Sequence, residues 1–141
     1  MVRQIVRDTF LLSQKSTPAT PDDLPAVCDL VDTLAANRER CVGMAANMIG
    51  VLRRFIAVAD GDAILVMLNP EILKASGAYH TDEGCLSLDG MRPVRRFRSV
   101  KVRWQDEGFR VKIRTFAGFT AQIIQHEMDH LVSPPTDAVG K

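Results

Sequence analysis

The chain has 141 residues, 46% of them hydrophobic and 25% charged, and its 18 basic and 17 acidic residues leave a net charge of +1. This is the make-up of one globular domain with a single core that buries roughly two-thirds of the unfolded surface. It gives no global electrostatic reason to bind nucleic acid or a membrane. No apolar run approaches the roughly 18 residues that span a bilayer, and the opening MVRQIVRDTFLLSQKS lacks the apolar stretch of a signal peptide. Three irregularly spaced cysteines, Cys28, Cys41 and Cys85, suggest reduced thiols in a cytoplasm rather than a disulfide framework.

In chain order, residues 1–22 read as an N-terminal arm and loop, polar and proline-bearing from 13 to 22. Asp22 or Asp23 can cap a helix over 23–38, where Leu24, Val27, Cys28, Val31, Leu34 and Ala35 recur at helical spacing. Cys28 falls on that stripe and reads as core. The small-residue segment Cys41 to Gly50 permits close backbone approach. Residues 54–59 and 63–69 predict a hairpin around Asp60-Gly61-Asp62, with Pro70 ending its second strand. Val100, Val102 and Trp104, then Phe109, Val111 and Ile113, predict a second hairpin with one face buried. The basic run Arg92, Arg95, Arg96, Arg98 and Lys101 reads as a solvated strand and loop, so no direct nucleic-acid binding is expected.

Gly118-Phe119-Thr120 opens the last helix. Ala121, Ile124, Met128 and Leu131 share one face, and Phe119, Ile123, His126, Glu127 and His130 share another. A helix apolar on two sides is enclosed by protein. Pro134-Pro135 stops it, and residues 132–141 read as a loose tail on a single domain spanning 1–141.

Two histidines four apart lie one turn above each other on one helix face, where one divalent metal can bind both. Glu127 sits between them as a proton acceptor for water. Burying this polar trio without a partner would be costly, and a metal resolves that cost. A hydrolytic site of this type needs a third protein ligand. Only eleven residues follow His130, without a histidine, so the ligand is expected upstream: His80, Cys28, Cys41 or Cys85. His80 itself reads as a loop residue.

Three blocks, in order, resemble the peptide deformylase family. Cys41 to Gly50 is similar to its glycine-rich block, Glu83-Gly84-Cys85-Leu86-Ser87 to its EGCLS block, and His126-Glu127-Met128-Asp129-His130 to its HExDH block. The stretch Leu68-Asn69-Pro70-Glu71 between them fits as well.

The resemblance implies an α+β fold: antiparallel β-sheets around a central C-terminal helix that carries the metal site, plus an N-terminal helix. It implies Cys85, His126 and His130 as ligands of one divalent metal, Fe(2+) first, with Ni(2+), Co(2+) or Zn(2+) also accepted. It implies Glu127 as general acid/base and the backbone N–H of Leu86 as an oxyanion donor. The substrate would be N-formylmethionyl peptides on nascent chains at the ribosome, hydrolysed to formate and a free amino terminus. Val42, Phe119 and Ile123 would line the methionine pocket, Gly43 would pair with the substrate backbone, and Arg92 could hold the peptide. Asp129 is expected in a structural ion pair or hydrogen bond.

Met48 is the departure that matters most. It stands where the family carries a glutamine donor, and a thioether cannot donate a hydrogen bond. The chain therefore also fits a catalytically weak deformylase-like protein that binds N-terminal segments. Cys41 in place of a glycine and Ser133 in place of another are milder departures.

Overall fold

The computed structural model describes residues 1–85 and 88–132, with side chains for 1–84 and 90–131. Five antiparallel strands form one sheet in sequential order: β1 (Gly43–Ala45), β2 (Phe55–Asp60), β3 (Ala63–Cys85), β4 (Leu88–Gln105) and β5 (Val111–Ala117). Three helices accompany it: α1 (Thr9–Leu12), α2 (Leu24–Ala36) and α3 (Gly118–Val132). Among the described residues no helix is long and apolar enough to cross a membrane.

Helix α2 follows a 3-10 turn at Pro21–Asp23, where the Thr20 backbone N–H donates to the Asp23 carboxylate at 2.8 Å. Its buried stripe is Val27, Leu30, Thr33 and Leu34. Cys28 is exposed rather than core. It lies one position from Val27, about 100° around the helix, and that step takes it off the stripe.

The turn between β2 and β3 places Gly61 at φ +63°, the left-handed region that glycine enters freely. Pro70 does not end the second strand. β3 continues to Cys85, and the register shifts between Leu68 and Glu71. Proline cannot donate to the ladder, and a bulge removes that need. Asn69, at φ 51°, holds the bulge. Its Oδ1 accepts from the Ala19 N–H at 2.8 Å and its Nδ2 donates to Gln105 at 2.8 Å.

The hairpin of β4 and β5 forms, but the two strands are not buried alike. Val100, Val102 and Trp104 lie in the core, whereas Val111 and Ile113 are exposed. The register explains this. Val111 and Ile113 pair with Gln105 and Arg103 on the outer face, and only Phe116, opposite Val100, turns inward.

Helix α3 packs against β1, β2, β4 and β5. Ala121, Ile123, Ile124, Met128 and Leu131 are buried, while Phe119 is exposed at its start. Gln125, fully buried, docks the helix on β4: its Oε1 accepts from the Phe97 N–H at 2.8 Å and its Nε2 donates to the Phe97 carbonyl at 2.8 Å. At the other end Asn47 Nδ2 donates to the His130 carbonyl at 2.7 Å, and the Ser16 N–H to the Leu131 carbonyl at 2.9 Å. These bonds satisfy carbonyls that a helix C-terminus leaves open.

Candidate metal centre

Helical spacing sets Gln122 and His126, then Ile123, Glu127 and His130, along adjoining rows of α3. His126, Glu127 and His130 each offer a ligand atom, all within 4.8 Å of one another. They sit beside a cavity of about 440 Å³, whose wall includes His126, Glu127, Ile123, Met48, Val42 and Gly43.

The other end of His126 is tied down. Its Nδ1 lies 2.7 Å from Glu83 Oε1. Burial opposes ionisation of Glu83, but hydrogen bonds from His126, Arg96 and Gln122, with the Arg96 charge, bring its carboxyl down to about 2. An ionised carboxylate only accepts, so Nδ1 carries a proton, which leaves Nε2 as the ring nitrogen that can ligate a metal. That is how a metal-ligating imidazole is normally oriented.

Glu83 belongs to a buried knot. Arg96, 1% exposed, reaches it through Nη2 at 2.7 Å and Nε at 3.0 Å, and reaches Asp129 through Nη1 at 2.9 Å. Gln122 Nε2 donates to Glu83 Oε2 at 2.8 Å, the oxygen that also accepts from Arg96 Nε. Arg96 thus joins the β3–β4 hairpin to α3 one turn behind the histidines. Its forked donors suit two carboxylates at once.

Glu127 is treated differently. Burial, with Glu83 and Asp129 nearby, pushes its carboxyl up to about 7 against the pull of His126 and Arg96. Its buried Oε1 has no hydrogen-bond partner among the described residues. Burial and the charges of His126 and Arg96 push the His130 imidazole down to about 3, so it is neutral near pH 7 and its ring can ligate. A neutral imidazole at His130, His126 anchored through Nδ1, and a buried carboxylate with an open oxygen fit a divalent metal and its water.

Gly43 makes this closeness possible. A Cβ there would lie 2.6 Å from Ile123 Cγ2 and 3.0 Å from Glu127 Oε2. Met48 is 1% exposed, and its sulfur accepts from the Ala45 N–H at 3.4 Å.

The sequence of the chain matches the model of the polypeptide deformylase family over residues 3–134. It is 51% identical over 130 residues to the peptide deformylase of Clostridium beijerinckii, covering 92% of this chain and 96% of that one. The chain belongs to the polypeptide deformylase family. Its fold matches the crystal structure of a peptide deformylase from Legionella pneumophila with a TM-score of 0.84 and 31% identity, covering 99% of this chain and 85% of that one. A class I type b peptide deformylase from Acinetobacter baumannii, bound to Met-Ala-Ser, matches with a TM-score of 0.83 and 28% identity over 99% and 97% of the two chains.

Measured against the deformylase motifs, the structure brings His126, Glu127, Met48, Val42, Gly43, Phe119 and Ile123 to one cavity, with buried His130 grouped behind it with His126 and Glu127. Arg92 is not on its wall. Arg92 pairs across the ladder with Glu83 and is exposed. His80 lies in β3 opposite Arg95 rather than in a loop. The backbone of Cys85 ends β3, with its side chain outside the described residues, as are Leu86, Ser133 and the tail. Sequence reasoning missed Glu83, Arg96 and Gln122 as partners behind the histidines. Gln122 was the most accessible of them, since it lies four residues before His126 on the same face.

Proposed function

We propose that this deformylase hydrolyses the formamide of N-formylmethionyl peptides on nascent chains, with Cys85, His126 and His130 holding one divalent metal and Glu127 moving the proton. When bound, the metal would supply Lewis-acid polarisation of the formyl oxygen and a lowered pKa for water. Ferrous iron is the first candidate, then nickel, cobalt or zinc. One thiolate and two imidazoles suit all four.

The observation that carries the reading is Glu127 itself. It is buried, its oxygen is open, and its carboxyl at about 7 is poised to take and return a proton near neutrality. It accepts a proton from the attacking water as the bond from oxygen to the formyl carbon forms. It returns that proton to the amine nitrogen as the C–N bond breaks, leaving formate and a free amino terminus. Val42, Ile123 and Phe119 receive the methionine side chain, and Gly43 lets the substrate backbone approach. The N–H of Leu86 donates to the developing oxyanion. The reaction belongs in a reducing cytoplasm, where a thiolate ligand survives.

Met48 favours a second reading. Without a side-chain donor at that position, the protein would bind formylated N-termini and turn them over slowly.

The test is formate release from a formyl-Met-Ala peptide, using protein loaded anaerobically with iron and separately with nickel. Anaerobic handling matters because thiolates oxidise. Turnover is expected, falling about 10²- to 10⁴-fold in Glu127→Gln with metal content unchanged. Full metal occupancy with no turnover above that variant would establish the binding reading. Cys85→Ala is expected to lose tight metal binding, and stoichiometric metal in that variant would overturn the ligand set.

A further inference from the structure

The near-neutral charge of the chain hides a strong asymmetry. Residues 88–117 hold nine of the 18 basic residues and three of the 17 acidic ones, so this segment carries +6 and the rest of the chain −5. Arg96 is consumed in the buried knot. Arg110 lies in the turn after β4, paired with Asp106; the others stand on β4 and β5, and the strand register decides which share a face.

On the face turned away from α3, Lys74 lies opposite Lys101, Ser76 opposite Ser99, Ala78 opposite Phe97 and His80 opposite Arg95. β5 extends this face with Thr115 opposite Lys101 and Ile113 opposite Arg103. Like charges directly across a ladder are destabilising, yet the register sets two ammonium groups face to face. Lys74 and Lys101 make no ion pair among the described residues. The carboxylate beside them, Glu71, is engaged by Arg103 at 2.6 Å. The cations at the two ends are about 20 Å apart along β4 at strand spacing. Between them lie two serine hydroxyls and the half-buried ring of Phe97, over which the Arg95 guanidinium sits at 5.3 Å.

Against the expectation drawn from the basic run in sequence alone, we infer that this outer sheet face binds single-stranded RNA, with Lys74 and Lys101 on its phosphates and the Phe97–Arg95 stack against a base. A flat sheet with cations along a strand and an aromatic between them is how single strands are held with little sequence preference. Charge complementarity requires a polyanion. Exposed Val111 and Ile113 lie at the β5 edge of this face, but between the cations stand hydroxyls and an aromatic–guanidinium stack, which favour a nucleotide chain over a lipid surface. Lys74 and Lys101 do not line the cavity of Glu127, so binding there leaves the hydrolytic site open.

The experiment measures fluorescence anisotropy of a labelled mixed-sequence 20-nucleotide RNA against the metal-loaded protein at several salt concentrations. It is repeated with the variant Lys74→Glu/Lys101→Glu and with the charge-matched control Lys15→Glu/Lys112→Glu. The expected result is salt-dependent binding, weakened tenfold or more in the first variant and less than threefold in the control. Formate release from a short formylated peptide should stay unchanged in both. Absence of binding at low salt, or equal weakening in both variants, overturns the inference. Binding to phosphatidylglycerol vesicles without binding to the RNA overturns it in favour of a membrane surface.

Discussion

Glu83 and Glu127 are both buried, and both lie beside His126, yet their surroundings treat them in opposite ways. Glu83 is held by Arg96, Gln122 and His126, which bring it down to about 2. Glu127 faces the cavity with an open oxygen and is pushed up to about 7. Depth alone therefore does not set the behaviour of a buried carboxylate. What decides it is whether donors meet the charged form. The knot around Glu83 is finished before any ligand arrives, whereas the cavity side is incomplete on its own. Separating the two tasks lets one helix carry rigid support on one row and reactive groups on the next.

The sharpest way to break this contrast is to open the knot. Arg96→Ala leaves Glu83 and Asp129 buried without their shared cation, and should cost about 3–5 kcal/mol of stability. Urea unfolding measures this, and a loss below about 1 kcal/mol would mean that water already reaches the knot. Glu83→Gln is milder because the fold keeps a hydrogen-bonding side chain there. It should weaken metal affinity about 10- to 100-fold by loosening His126. Competition with a chelator reads that out, and unchanged affinity would show that His126 is oriented by something else.

On the cavity side, Met48→Gln is expected to raise kcat about tenfold, part of what one oxyanion donor usually contributes. An unchanged kcat would show that the oxyanion is fully held without that position.

The smallest effects lie in the pH dependence of the metal-free protein. The folded pKa of Glu83 lies below its ordinary 4.5, so the stability it contributes is present above pH 4.5 and lost as pH falls towards 2. Glu127 has the opposite sign. Its folded pKa is raised, so the folded state holds the extra proton, and stability declines as pH rises from 4.5 to 7. The lowered pKa of His130 opposes the Glu127 limb, since it makes stability rise with pH between about 3 and 6.5, so each limb is read as the difference in urea midpoints between the wild type and the matching variant. Glu83→Gln should flatten only the acid limb and Glu127→Gln only the neutral one. A neutral limb that survives Glu127→Gln would place the raised group elsewhere.

The sequence exposed the parts of the molecule that rest on local rules. The spacing of His126 and His130, the apolar rows of α3 and the turn at Gly61 were legible in neighbouring residues, as was the existence of α2, although only Val27 and Leu34 of its expected stripe are buried while Cys28 and Ala35 are exposed. What was hidden depends on pairing between distant strands. Pro70 looked like a stop because the bulge that accommodates it is held by Asn69 reaching to Ala19 and Gln105. Val111 and Ile113 looked half-buried because alternation does not say which face meets the core. Glu83 and Arg96 are 13 residues apart, and only the pairing of β3 with β4 turns two surface-type residues into a buried ion pair.

The tie between Glu83 and His126 spans 43 positions of the chain. One side of it lies at the end of the long β3–β4 hairpin and the other on the last helix. Contacts so far apart in sequence form late, after the loop between them has closed. During synthesis, the imidazole cannot be oriented until nearly the whole chain has emerged and the sheet has paired. Metal uptake should therefore report the last stage of maturation, and a chain that stalls or misfolds earlier should carry little metal.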